Sequence, residues 1–135
     1  MKKKFSVKWR ASRQKRKQRK YRYESPLHVK YKMLSSNLSK ELRKKYSKRS
    51  LPLRKEDTVR VMRGEFKGKR GKIGSLDKYN FKVYIEGMQK DKKDGTKVSV
   101  PFHPSNLQIT ELNLDDKKRS ENLERKETTK EKKAK

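Results

Sequence analysis

The stretch of sequence closest to recognisable chemistry runs from Val59 to Leu76 and reads VRVMRGEFKGKRGKIGSL. Its glycines are interspersed with lysine and arginine, a composition found in loops that hold phosphate groups. A nucleotide-binding loop of the Walker type needs G-x-x-x-x-G-K-[ST] between a strand and a helix. The residues GEFKGKRG have a different spacing and no Ser or Thr after the lysine, so they do not form that loop.

The four residues GKRG within this stretch also match the G-x-x-G of a KH module, but the KH loop joins two helices. Here the flanking residues are strand-like, with Val59 and Val61 alternating with charged side chains. The pattern therefore predicts a strand, a basic glycine-bearing loop and a returning strand. Glycine allows close backbone approach, so Lys67, Lys69 and Arg70 can lie near phosphates. We interpret the loop as one that binds a polyanion and does not react with it.

The net charge indicates the kind of partner. The chain carries 43 Lys and Arg against 16 Asp and Glu in 135 residues, a formal net charge of +27. A surface this positive collects polyanions, nucleic acid above all. Basic charge used at a membrane needs an apolar helical face or a lipid signal beside it, and we find neither, so we expect no membrane attachment. The first residues lack the apolar segment of a secretory signal, so we expect a cytoplasmic protein.

Catalytic and metal-binding groups are scarce. His28 and His103 are far apart in the sequence and have no carboxylate-rich or thiol neighbours, so we assign them neither metal ligation nor general-base catalysis. His103, in PFHPSN, either hydrogen-bonds a turn or contacts RNA. The absence of cysteine excludes disulfides, thiol catalysis and zinc ribbons. We therefore expect no enzyme activity, no cofactor, no metal and no small-molecule substrate.

The positive charge is concentrated at the start of the chain. Residues 1–23 carry twelve basic residues and no acidic one. One interpretation is a disordered tail or an import signal. We favour an arm that threads into folded RNA and becomes ordered only there. Trp9, Tyr21 and Tyr23 support this interpretation, because an aromatic ring within a lysine run can stack on a base.

Residues 24–50 form a second basic segment, with eight basic residues against two acidic ones. Ser36 or Asn37 is the predicted cap of a helix over LSKELRKKY, in which Leu38, Leu42 and Tyr46 share one face. The alternative is a short surface helix whose cations serve only solubility. The cations on its other faces are Lys40, Arg43, Lys44 and Lys45.

Residues 51–112 alternate apolar and polar side chains with period two, which predicts about five short strands and a small β-barrel. Asp94-Gly95 is a favoured hairpin pair. The predicted inward-facing side chains are Val59, Val61, Ile73, Leu76, Phe81, Val83, Ile85, Val98, Val100, Leu107 and Ile109. Residues 113–135 form a charged tail, mostly solvated, for which Asp115 or Asp116 is the predicted helix cap.

The residues DTVRVMRGEFKGKRGKIGSLD, from Asp57 to Asp77, resemble a KOW motif, the strand–loop–strand unit of SH3-like barrels in ribosomal proteins and transcription elongation factors. Gly71 falls at the glycine that this motif requires. The motif leaves open a transcription elongation or chromatin-associated factor that binds polymerase or DNA. Such proteins generally join the module to further domains by long linkers, for which this chain has no room, so we rank this alternative second.

The flanking sequences resemble one family, the universal large-subunit ribosomal protein numbered twenty-four in bacteria and twenty-six in eukaryotes, in its archaeal and eukaryotic form. The resemblance covers Pro26 to Arg119 and is most specific in LSKELRKKY and HPSNLQITELNLDD, while KGKRG favours the archaeal version. It implies a mostly β fold: a small SH3-like barrel over residues 51–112, a basic N-terminal extension with a short helix, and a charged, helical C-terminal tail.

The resemblance also implies a function. It predicts a structural protein of the large ribosomal subunit that binds the 5′ region of its RNA, acts early in assembly, and lies near the polypeptide exit tunnel beside other ribosomal proteins. Family members contact RNA with the KOW loop, the arm, the basic helix and the His-Pro-Ser turn. Together with nearby basic residues, these segments give the predicted RNA-binding set: Arg10, Arg13, Arg16, Arg19, Lys20, Tyr21, Arg22, His28, Lys30, Lys32, Lys40, Arg43, Lys44, Lys45, Lys48, Arg49, Arg63, Lys67, Lys69, Arg70, His103 and Ser105.

Overall fold

The computed structural model of the protein describes residues 5–123. The strands in this part of the chain are β1 Ser35–Leu38, β2 Ser50–Pro52, β3 Thr58–Val61, β4 Arg70–Asp77, β5 Lys82–Asp91, β6 Lys97–Phe102 and β7 Leu107–Glu111. The α-helices that precede β2 are α1 Lys15–Glu24, α2 Leu27–Met33 and α3 Lys40–Tyr46, and residues 117–123 are also helical. Short 3₁₀ turns occupy Val7–Ala11 and Pro104–Asn106. Among the described residues, no helix is long and apolar enough to cross a membrane.

The described strands form one sheet in the order β2-β1-β7-β3-β4-β5-β6. Neighbouring strands are antiparallel except β1 and β7, which run parallel. Side chains from β1, β3, β4, β5, β6 and β7 meet in one buried cluster, as they do when a sheet curls around its core in a small barrel. The predicted mostly β fold is confirmed.

The predicted alternation of the strands holds where the sheet covers the core. The fully or almost fully buried side chains among those predicted are Val59, Val61, Ile73, Val83, Ile85, Leu107 and Ile109. One of the predictions was wrong. Val98 is 42% exposed, because it pairs with Lys90 in a part of the β5–β6 hairpin that extends beyond the core. Phe81 precedes β5 and has a left-handed backbone, with φ of 55°, but it is partly buried and packs against the core as predicted.

The sheet extends into the segment before residue 51. Leu38 lies in β1, pairs with Ile109 of β7 and is fully buried, so it does not begin the helix as the sequence predicted. The cap of α3 is Ser39, two or three residues later than the predicted caps, and its side chain accepts a hydrogen bond from the Leu42 N–H. Strand β1 ends at the buried Leu38, so the next residue, Ser39, is the one that caps the helix.

The N-terminal arm has regular structure that the sequence did not predict. The Gln18 side-chain amide of α1 lies 3.1 Å from the carbonyl oxygen of Trp9 and 2.6 Å from that of Ser12, which folds the first 3₁₀ turn back onto α1. The rings of Phe5 and Tyr21 pack with their centroids 5.0 Å apart. These local contacts hold the segment together despite its charge. That the arm becomes ordered only on RNA stays a prediction.

The C-terminal segment docks onto the sheet. Asp116 accepts a hydrogen bond from the Lys118 N–H at the start of the helical residues 117–123. Arg119 points inward and binds Asp57, and Leu123 is 1% exposed. The remainder of the predicted tail, residues 124–135, and the first four residues of the arm lie outside the described residues.

Candidate nucleic-acid interface

The basic glycine loop between β3 and β4 is held in one shape by its own backbone. The Gly68 N–H donates to the Val61 carbonyl oxygen (2.8 Å), and the Val61 N–H donates to the Lys69 carbonyl oxygen (2.9 Å). Gly64 and Gly68 have φ of 88° and 87°, which a side chain would oppose. The exposed cations of the loop and of the first position of β4 are Arg63, Lys67, Lys69 and Arg70.

A phenylalanine anchors this loop to the core. The Phe66 ring packs edge-on against Phe102, with centroids 5.8 Å apart and planes at 87°. The Lys69 ammonium lies 5.1 Å from the Phe66 centroid. The loop therefore presents its cations from a fixed backbone, which lowers the entropy lost on binding a polyanion.

Gly71 is required by packing and not by backbone conformation. A Cβ at this position would lie 2.6 Å from Ile85 Cγ2, closer than a side chain can approach without movement, and 3.2 Å from the Glu86 carbonyl oxygen. Gly71 thus lets β4 pass close to β5 beside the point where the register between the two strands shifts.

The turn around His103 adjoins the base of the loop. The Met62 N–H donates to the carbonyl oxygen of Asn106 (2.8 Å), which joins the two segments. The Ser105 N–H donates to His103 Nδ1 (3.3 Å), and the Ser105 hydroxyl lies 2.8 Å from the same atom. Partial burial, and then the charges of Lys82 and Arg22, lower the pKa of His103 below 6.5. Because Nδ1 accepts from the Ser105 N–H, this nitrogen carries no proton in the turn, and the lowered pKa favours that form.

The arm, helix α2 and the turn around His103 meet at one cleft, which has a volume of about 750 Å³. Predicted RNA-binding residues from all three segments line it: Arg10, Tyr21, Arg22, His28, Lys32 and His103. Phe5, Val29, Met33 and Phe81 supply its apolar wall. The remaining predicted cations of the arm are exposed: Arg13, Arg16, Arg19 and Lys20. The fold thus brings together positions that are up to 93 residues apart, from Arg10 to His103.

Helix α3 joins the sheet through β1 and β7. The Ser39 N–H donates to the Ile109 carbonyl oxygen (2.9 Å), and the Arg43 guanidinium Nε donates to the Leu38 carbonyl oxygen (2.8 Å). Arg43 is half-buried, and its Nε is occupied by this hydrogen bond within the protein. The exposed cations of α3 and the following loop are Lys40, Lys44, Lys45 and Arg49, while Lys48 donates to the carbonyl oxygen of Asn122.

Comparison with known proteins identifies the family. A family model that describes the eukaryotic ribosomal proteins L26 and their archaeal counterparts matches residues 12–126. The chain is 44% identical over 115 residues to the large ribosomal subunit protein uL24 of Methanosphaera stadtmanae, covering 85% of this chain and 98% of that protein. It is 46% identical over 110 residues to uL24 of Korarchaeum cryptofilum, covering 82% and 84% respectively. The chain belongs to this family.

Membership confirms the family predicted from the KOW residues and their flanks, and with it the predicted localisation to the ribosome in the cytoplasm. The protein is thus a structural constituent of the ribosome. The match begins at residue 12 and so takes in all of α1, where the sequence resemblance had begun only at Pro26. Among the described residues, no group of His, Asp and Glu is arranged to hold a metal ion.

Two residues of the predicted RNA-binding set have packing roles. Tyr21 is 8% exposed against Phe5, and Lys30 is 7% exposed with its ammonium 4.9 Å from the centroid of the Tyr79 ring. In this conformation both side chains shape the surface that other residues present. Sequence reasoning treated every cation of the segment alike, because burial of Lys30 depends on a ring 49 residues later.

The β5–β6 hairpin carries exposed cations that the predicted RNA-binding set does not include. The exposed lysines there are Lys90, Lys92, Lys93 and Lys97. The turn itself was predicted: the Gly95 N–H donates to the Lys92 carbonyl oxygen (3.0 Å), and Gly95 has φ of 82°. Lys90 reaches back to Glu65 of the β3–β4 loop at 3.4 Å, so hairpin and loop are neighbours. The lysine pair before Asp94-Gly95 was the sequence feature that could have indicated this basic surface.

Proposed function

We propose that the protein acts in the large ribosomal subunit by binding its RNA through the β3–β4 loop, the arm, the exposed face of α3 and the His103 turn. The observation that carries this proposal is the fixed basic loop: its backbone is closed by internal hydrogen bonds, while Arg63, Lys67 and Lys69 are exposed. A preorganised set of cations on a protein of net charge +27 is suited to a folded polyanion.

The chemistry of the contacts follows from these residue types. Lysine and arginine side chains bind phosphate and ribose oxygens, which position a protein on RNA without reading its sequence. Double-helical RNA offers a groove too deep and narrow for side chains, so recognition depends on shape. The β3–β4 loop binds phosphates from a fixed backbone. The arm fills a groove between RNA helices and lowers the repulsion between their phosphates.

The family resemblance leads us to propose the finer features as well. The RNA bound is the 5′ region of the large-subunit RNA, binding takes place early in assembly, and the bound protein lies near the polypeptide exit tunnel beside other ribosomal proteins. The KOW residues Asp57 to Asp77 and the HPSNLQITELNLDD segment support this assignment.

A binding experiment tests the proposal. The full-length protein is titrated against a transcript of the 5′ region of large-subunit RNA, with an equally long transcript of small-subunit RNA as the control. If about eight phosphates are neutralised, the logarithm of the affinity falls with the logarithm of salt concentration with a slope of about −7. Equal affinity for both transcripts, or undiminished binding at about 0.5 M KCl, would refute the proposal.

Sedimentation of a cell lysate separates this proposal from the transcription-factor alternative. The protein is expected to cofractionate with large subunits and to remain there after a moderate salt wash. Cofractionation with RNA polymerase or chromatin would support the alternative.

A further inference from the structure

A second, smaller cleft of about 290 Å³ lies between the end of α1, α2 and the turn that joins β4 to β5. It adjoins the larger cleft, because Arg22 and Phe81 line both. The residues that line it are Arg19, Arg22, Tyr23, Lys30, Tyr79, Asn80 and Phe81. The sequence already suggested Tyr23 as a ring of the arm that can stack on a base, whereas Tyr79 is not in the RNA-binding set predicted from the sequence.

The two tyrosines stand out because they are large and exposed. Tyr23 is 84% exposed and Tyr79 is 68% exposed, although each side chain offers a broad apolar ring. Exposed aromatic rings that line a common concave surface mark an interaction site. A tyrosine ring at such a site can stack on a nucleobase of any sequence, because every base has a π face.

The turn that carries Tyr79 is rigid. Asp77 Oδ1 accepts hydrogen bonds from the N–H groups of Tyr79 (2.9 Å) and Asn80 (3.1 Å), and Asp77 Oδ2 accepts one from the Asn80 side chain (2.8 Å). Phe81 closes the turn with φ of 55°, a conformation that a non-glycine residue adopts only under constraint. Such strain is concentrated at functional sites.

The ring of Tyr79 is also held in place by a lysine of α2. The almost fully buried Lys30 places its ammonium 4.9 Å from the ring centroid, so a fixed cation holds one face of the ring. Since Tyr79 is nevertheless 68% exposed, the rest of the ring is available to a ligand. The site is therefore preorganised before anything binds.

The charge of the cleft decides what the ligand is. Its lining contains Arg19, Arg22 and Lys30, and none of these described lining residues is acidic. A nucleotide has the matching chemistry, because its base stacks on a ring while its phosphate pairs with a guanidinium. An acidic peptide would satisfy the cations and leave the exposed rings unused.

We propose that this cleft is a base clamp, in which Tyr23 and Tyr79 stack on an unpaired nucleotide that projects from the bound RNA, while Arg19 and Arg22 hold its phosphates. The inference rests on the proposed RNA-binding function and adds to it a preference for RNA with a bulged or looped-out base. Loop and arm cations bind any folded RNA of suitable shape; the clamp selects the place where a base is free.

The test compares two RNA hairpins that differ by one nucleotide. One is fully paired, and the other carries a single unpaired 2-aminopurine, whose fluorescence is quenched on stacking. The full-length protein is expected to bind the bulged hairpin at least about fivefold more tightly and to quench its fluorescence. Tyr79→Leu is expected to remove both effects and to leave affinity for the paired hairpin unchanged.

Two matched variants separate stacking from charge. Tyr79→Phe keeps the ring and is expected to retain the preference. Lys78→Ala removes an exposed cation from the same turn and is expected to weaken binding of both hairpins equally. As a check independent of any variant, photocrosslinking of a bulged 4-thiouridine is expected to label Tyr23 or Tyr79.

The outcomes distinguish the clamp from the proposed function. Strong, salt-dependent binding of both hairpins with no preference and no quenching would overturn the clamp and leave RNA binding intact. Failure to bind either hairpin or the large-subunit transcript at low salt would overturn both. An acidic peptide that displaces the bulged base and crosslinks to the same tyrosines would also overturn the clamp, because it would identify a protein ligand.

Discussion

The guanidinium of Arg119 binds both carboxylate oxygens of Asp57 inside the protein. Arg119 Nη1 lies 2.6 Å from Asp57 Oδ1, and Nη2 lies 2.8 Å from Oδ2, with side-chain exposures of 6% and 0%. Asp57 also accepts hydrogen bonds from the N–H groups of Arg54 and Asn113, and Arg119 Nη1 donates to the Asn113 carbonyl oxygen. The pair fastens the C-terminal segment to the start of β3.

Breaking this pair is expected to destabilise the fold strongly. Arg119→Met leaves a buried carboxylate without its charged partner, so we expect the free energy of unfolding to fall by about 3 kcal/mol. Adding Asp57→Asn removes the stranded charge and is expected to restore part of the loss. Urea unfolding of the two variants measures both changes.

The exposed neighbour Lys118 provides the control for that experiment. Lys118→Met makes the same type of change on the outer face of the same helical residues, and it is expected to alter the free energy of unfolding by less than about 0.5 kcal/mol. An equally small loss for Arg119→Met would show that the pair contributes nothing to stability.

The Asp57–Arg119 pair illustrates the limit of sequence reasoning for this protein. Period-two alternation identified the strands because each inward residue is marked by its immediate neighbours, as Val59 and Val61 are. The two members of the ion pair are 62 positions apart, in a chain with 59 charged residues, and nothing local distinguishes Arg119 from the lysines beside it. The predicted barrel over residues 51–112 therefore omitted both β1 and this contact.

The candidate interface likewise contains some features that local sequence marks and others that it does not. The basic loop and Gly71 were predictable because a contiguous motif carries them. The placement of the Tyr79 ring was not, since it depends on a turn closed by Asp77 and on a buried lysine from α2. Helix α1 was missed because Tyr21 is its only buried residue and contacts such as that of Gln18 with Trp9 are polar, so the helix has little apolar periodicity.

Gly71→Ala is expected to destabilise the protein by about 1–3 kcal/mol, because the new methyl group would overlap Ile85 Cγ2 at 2.6 Å. Gly74→Ala is the matched control in the same strand. Its methyl group would meet only the flexible, exposed side chain of Glu86 at 3.2 Å. Thermal unfolding of both variants compares them, and equal losses would contradict a packing requirement specific to Gly71.

The loop cations are expected to contribute to RNA binding through phosphate neutralisation. Replacing both Lys67 and Lys69 by Gln is expected to weaken binding and to lower the slope of log affinity against log salt by about 2. Lys117→Gln with Lys118→Gln removes the same charge from the C-terminal segment and serves as the control. A salt slope that changes equally in both double variants would show that only net charge matters.

His103 is expected to make stability and RNA binding depend on pH in opposite ways. Partial burial, Lys82 and Arg22 lower its pKa below 6.5 in the free protein, so the unfolded chain binds a proton more readily at mildly acidic pH. The contribution of His103 to the free energy of unfolding is therefore complete above about pH 6.5 and is lost as pH falls through the folded pKa.

Phosphates beside the ring would favour its cation, so RNA should raise the same pKa and bind more tightly as pH falls. NMR titration of the His103 ring, free and bound, measures both shifts. His103→Gln should remove this part of each pH dependence, and a pKa of 6.5 or above in the free protein would contradict the argument.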